Sequence, residues 1–141
     1  MRRCGPVVVT VMLLIACDLA GAPGNDDGGM GLPRQLAGEE YPGPRADLTG
    51  DLRVMPNGCV HLEIDGISRM AIWPDGSALS GPVRLPDGTE LLDGDVIRGS
   101  GVILPTEALP GGQDGYWAHT TGFCAGEVRE VVVLDEVMTH R

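Results

Sequence analysis

Apolar and polar positions alternate along most of the chain from about residue 47 onward. Leu52 and Val54 alternate with Asp51 and Arg53, and Asn57-Gly58 follows. Asn-Gly is a strong two-residue hairpin signal. Val60, Leu62 and Ile64 then alternate with His61, Glu63 and Asp65. A period of two sends successive side chains to opposite faces of a strand, so one face reads apolar and the other polar. Asp65-Gly66, Trp73-Pro74-Asp75-Gly76, Pro86-Asp87-Gly88 and Asp93-Gly94 mark further turns. Between them lie a run ending at Trp73, the pairs Val83/Leu85 and Leu91/Leu92, and the runs Val96-Ile97 and Val102-Ile103-Leu104. Tyr116-Trp117 and Val128 to Leu134 read as the last strands, and Asp135 to Arg141 as a frayed tail. Short strands at near-regular spacing predict an all-β domain over residues 47–138. A small closed or partly open barrel of OB-like size is expected, because a meander leaves edges that closure removes. No helical stripe is apparent in this stretch.

The N-terminal pattern differs. Met1-Arg2-Arg3 precedes Val7 to Ala16, where Thr10 alone is polar. Ten residues cover about 15 Å as a helix, half a hydrocarbon core. Length and flanking charge fit a signal peptide over residues 1–16. Leu14-Ile15-Ala16-Cys17 resembles the lipobox of bacterial lipoproteins: aliphatic, variable, small, Cys. That resemblance implies acylation of the Cys17 thiol, removal of residues 1–16, and anchoring to the outer face of the cell membrane. Two or more acyl chains hold a protein there firmly, where one does so only marginally. Residues 17–46 then read as the lipidated cysteine and a flexible tether. Glycines and prolines crowd this segment and no apolar period appears. Such a composition buries too little surface to offset its ordering entropy.

Charge narrows the partners. Arg2 and Arg3 leave with the signal while all 20 acidic residues stay, so the net charge moves from −10 to −12. The chain has no Lys. Nucleic acid is therefore not an expected partner, since phosphate recognition rests on clustered Lys and Arg. Of the four cysteines, Cys4 leaves with the signal and Cys17 carries the lipid. Cys59 and Cys124 remain as one pair in an oxidising compartment, where a disulfide is the default.

Three motifs in order, Asn57-Gly58-Cys59-Val60-His61-Leu62, Trp73-Pro74-Asp75-Gly76 and Gly94 to Gly101, resemble small secreted proteins and lipoproteins of actinobacterial type. The resemblance covers roughly residues 52–104 and implies a compact exported β-domain, with no chemistry attached. Asn57-Gly58-Cys59-Val60 is also similar to the nucleophile segment of L,D-transpeptidases. It departs at Asn57, where that family has His, and at His61, where it has Arg. No His upstream of Cys59 stands ready to generate a thiolate.

His61, Glu63 and Asp65 share one strand face and form a weak candidate metal set. Polar faces are built this way without any metal, so none is assigned. Trp73, Tyr116 and Trp117 are weak binding candidates, and become the best ones if they cluster on an exposed face. No catalytic residues and no cofactor are expected. The reading is a membrane-anchored, non-catalytic envelope module that binds a protein partner, or a small ligand in a barrel mouth. The alternatives are an envelope enzyme or metal-dependent hydrolase using His61 and Glu63, and a purely structural surface protein.

Overall fold

The computed structural model describes residues 32–111 and 114–139. The signal peptide, Cys17 and the first part of the tether lie outside the described residues. The described residues form eight strands, one short α-helix and a 3-10 turn at Thr106–Ala108: β1 (Ala46–Val54), β2 (Val60–Ile64), β3 (Ile67–Ile72), β4 (Ala78–Leu79), β5 (Val83–Arg84), β6 (Glu90–Leu91), β7 (Val96–Pro105), α1 (Tyr116–Cys124) and β8 (Glu130–Thr139). Five of the strands close into a barrel in the order β1-β2-β3-β8-β7. All its pairs are antiparallel except β3 with β8, which run parallel. The closed small barrel is the architecture the strand pattern led us to expect; its order, with β3 parallel to β8, is of OB type and not the simple meander the turns suggested. The short strands β4, β5 and β6 form a separate three-stranded sheet between β3 and β7.

Inward positions fill the barrel. Leu52, Leu62, Trp73, Ile97, Val132 and Leu134 belong to one buried cluster. Val83, Leu85 and Leu91 of the small sheet join it at the end where Trp73 lies. Near the opposite end, Arg69 is buried and donates to Glu130 from Nε at 3.0 Å and to the Ile64 carbonyl at 3.4 Å.

Tight closure needs small residues where strands change partners. β1 pairs with β7 as far as Asp51 and with β2 from Asp51 onward. At that corner sits Gly50, where a Cβ would lie 2.6 Å from the Glu63 carbonyl oxygen. β8 carries a bulge, since Ser100 faces Glu136 and Gly101 faces Leu134. One extra residue bends and twists the bulged strand. A Cβ on Gly99 or Gly101 would run into the Glu136 or Val133 carbonyl. Asp135, the extra residue, accepts from Arg45 Nε at 2.6 Å, and Gln35 Nε2 donates to the Leu134 carbonyl at 2.8 Å.

Three expectations are corrected. Among the described residues, packing already involves part of the stretch read as tether: Leu32 and Tyr41 are buried, and backbone bonds join Trp73 to Pro33 and Gln35. Isolated apolar residues among glycines and prolines suffice when the barrel supplies the surface they cover. The stretch from Asp135 to Thr139, read as a frayed tail, continues β8, with Glu136 to Thr139 paired to Ser100 to Ile97, because the bulge at Asp135 carries the strand past the point where alternation stops. Tyr116-Trp117 opens a helix, not a strand. Its sequence, Tyr-Trp-Ala-His-Thr-Thr-Gly-Phe-Cys, is a poor helix former, rich in aromatic, β-branched and glycine residues. What holds it is tertiary.

These contacts give a paired expectation. Gly101→Ala should destabilise the domain by about 3 kcal/mol or more through backbone overpacking. Gly122→Ala, on the open side of α1 with nothing within 4 Å of the added methyl, should be neutral or stabilise by about 0.5–1 kcal/mol. Urea unfolding followed by circular dichroism measures both.

Candidate functional site

The chemistry-bearing residues gather where α1 crosses the outside of the barrel. Met70 and Ile72 of β3, Val131 and Val133 of β8, and Val102 and Leu104 of β7 point outward. There they form a second buried cluster with Trp117, Cys124 and Leu109. α1 therefore covers a face that a bare barrel would leave in water. Cys59, at the end of the β1–β2 turn, bonds to Cys124 at the last turn of α1, with Cα atoms 5.6 Å apart. The disulfide expected from the cysteine count is present. It ties the β1–β2 loop to the β7–β8 connection across the second and third barrel strands. In OB-type barrels that face, with the loops beside it, is where oligonucleotides and oligosaccharides bind. Here the chain's own helix lies over the outward side of β3, β7 and β8 and reaches β2 at His61.

His61 lies beneath the end of α1 and is buried. Nε2 is 2.7 Å from the Cys124 carbonyl, which can only accept, so Nε2 carries the proton. Nδ1 then accepts from the Ser68 hydroxyl at 2.9 Å. Burial pushes the imidazole pKa down, partly opposed by the Cys124 carbonyl. His61 is thus a neutral bridge between β2, β3 and the end of the helix. Glu63 instead pairs with Arg53 at 3.5 Å, and Asp65 occupies the β2–β3 turn with φ +52°. The three do not converge, and among the described residues no group of three His, Cys, Asp or Glu side chains gathers to hold a metal.

The aromatic candidates separate. Trp73 is sealed in the barrel end and its indole N–H has no partner among the described residues. Trp117 and Tyr116 do meet, edge to face at 4.8 Å. Trp117 also meets Tyr41 at 6.0 Å. Glu39 anchors this group: its Oε2 accepts from Trp117 Nε1 at 2.8 Å and from the Tyr41 hydroxyl at 3.0 Å. Burial pushes the Tyr41 hydroxyl up to about 12, with the Glu39 carboxylate adding to the rise.

One side of α1 stays open. Tyr116 is 46 % exposed and Phe123 51 % exposed. With His119 and Gly122, also exposed, they fall on one face by helical spacing. No residue of α1 is charged. Phe123, Tyr41 and Ser68 were not singled out from the sequence. The seven-residue spacing of Tyr116 and Phe123, two helical turns, is the one signal that points to the exposed pair. Comparison with family models, curated proteins and solved structures gave no match.

Two expectations follow from the buried joint. The Cys59→Ala/Cys124→Ala variant should lose about 2–4 kcal/mol of stability, with the near-ultraviolet signal of Trp117 reduced before the barrel unfolds. His61 is held below its unfolded pKa, so the unfolded chain takes up its proton first as pH falls. Stability should therefore decline as pH drops below about 6.5. Other groups also titrate there, so the informative measurement is the difference between parent and His61→Gln. That variant should be less stable at neutral pH by about 1–3 kcal/mol, and should narrow its gap to the parent between pH 6.5 and pH 5.

Proposed function

We propose that the chain is an exported lipoprotein, held by Cys17 to the outer face of a membrane, whose domain serves as a non-catalytic interaction module. The observation that carries the interaction part of this reading is the disulfide-held helix. It covers the outward side of β3, β7 and β8 and presents an outer face bearing Tyr116 and Phe123. The Cys59 sulfur is spent in a disulfide, and both His61 nitrogens are engaged inside the fold. The residues an enzyme would draw on are thus serving structure. The barrel interior is filled by Leu52, Leu62, Ile97 and Leu134, each almost fully buried. A filled interior favours the outer surface over a barrel mouth in this reading. Export is supported by the apolar segment before the Cys17 motif and by the disulfide, which persists in oxidising compartments.

Membrane fractionation of cells making the parent and Cys17→Ser tests the anchor. The parent should sediment with membranes and the variant should appear in the soluble exported fraction. Equal retention of both would overturn it.

A further inference from the structure

We propose that the open face of α1 is a second, non-covalent contact with the bilayer, docking on the neutral interfacial zone of the lipid surface; this rests on the lipid anchor proposed above.

Reach makes the surface available. Fourteen residues lie between Cys17 and Leu32, and the fully extended stretch spans at most about 54 Å. The first packed residue therefore stays within that distance of the acyl chains. From Leu32 only seven residues lead to Glu39, which holds Trp117 of α1 by its indole N–H. The helix is thus on a short lead from the anchor. Tethering also changes the affinity needed. A patch of two aromatic rings would not bring a soluble protein to a membrane, but an anchored one meets the surface at high effective concentration.

The chemistry of the face selects the occupant. Tyr has an apolar ring with a polar tip and concentrates at membrane interfaces, while Phe supplies apolar area on surface-lying helices. His119 and Gly122 complete an exposed surface that carries no Asp, Glu, Lys or Arg from α1. The rest of the molecule is strongly acidic, and a net charge of −10 over the whole chain disfavours anionic surfaces. A face without charge is the part that can approach lipid without desolvating an ion. The geometry also fixes its orientation. The disulfide and Trp117 hold the buried side of α1 to the barrel, so Tyr116 and Phe123 cannot rotate inward.

The test uses the chain from Cys17 to Arg141 with the Cys59–Cys124 disulfide intact. Cys17 is then the single free thiol, and it is coupled to a maleimide lipid in phosphatidylcholine vesicles with brominated acyl chains. A tryptophan reporter is placed at one of two exposed apolar sites, Phe123→Trp on α1 or Leu92→Trp on the loop before β7. Both variants must first show the parent's circular dichroism. We expect the reporter at 123 to be quenched relative to vesicles without bromine, and that at 92 to keep its emission. Adding Tyr116→Asp to Phe123→Trp should abolish the quenching by putting a charge in the face. No quenching at 123, or equal quenching at both sites, would overturn the inference. So would capture of a protein in place of lipid by a photo-crosslinker at 123 in intact cells. Chemical coupling stands in for the natural anchor, so a failure here is separate from a failure of the Cys17→Ser fractionation.

Discussion

Burial of β8 on both sides is the constraint around which the domain is arranged. Val131, Val132, Val133 and Leu134 are all essentially inaccessible to water. Val132 and Leu134 face the barrel interior, while Val131 and Val133 face α1. A strand in a closed barrel can hide one face at most, so the outer valines need a cover. Each buried aliphatic side chain contributes roughly 1.5–3 kcal/mol, which makes a stable cover worth keeping. The cover is a helix that its own sequence supports poorly. Gly115 provides no side-chain cap, and Thr120 and Thr121 turn their hydroxyls back onto the carbonyls of Tyr116 and Trp117. Its hold is external: the disulfide at one end, and Trp117 bonded to Glu39 at the other.

The same constraint explains the β8 bulge. Past Leu134 the strand leaves α1 and continues beside the first half of β7. Asp135 is squeezed out of the pairing, and Arg45 and Gln35 take up the polar groups exposed there. Gly99 and Gly101 let the two backbones come close around this point. The segment before β1 is thereby drawn into the fold: Leu32 packs against the barrel end, and residues 35–45 clamp the bulge and brace Trp117. What reads as spacer in the sequence is in part a strap across β3, β8 and α1.

Much of the barrel was legible because β1, β2 and the hairpin turns announce themselves through strict alternation and through Asn57-Gly58 and Asp65-Gly66. The missed parts share a physical cause, which is that a second contact overrode the local pattern. The Val131–Leu134 run has no alternation because neither of its faces is wet. Beyond it, the bulge makes Leu134 and Val137, three positions apart, both turn inward, and a period of two is lost there. α1 hid because its buried positions, Trp117, Thr120 and Cys124, include a threonine and a half-cystine, so no apolar stripe marks it. Leu32 and Tyr41 were too isolated to register. His61 was correctly placed on the outward face of β2. Nothing in the strand itself says that a helix tethered 65 residues away lies over that face.

That covered face limits which polar groups of the barrel meet solvent. In an open OB-type barrel the second and third strands would offer a concave surface with polar side chains free to read a ligand. Here His61 and Ser68, the polar residues best placed to do so, bond to each other and to the helix terminus. Uncovering them would require breaking the disulfide and exposing Met70, Ile72, Val131 and Val133 together, a large apolar loss that no polar ligand on this surface could readily offset. What this side of the molecule presents to solvent is the helix lying on the sheet. The outer layer differs in kind: it has no charge, two exposed rings and a rigid base, on a molecule whose remaining surface is dominated by carboxylates. Such a face discriminates by the absence of charge, and it favours surroundings in which an ion would be out of place.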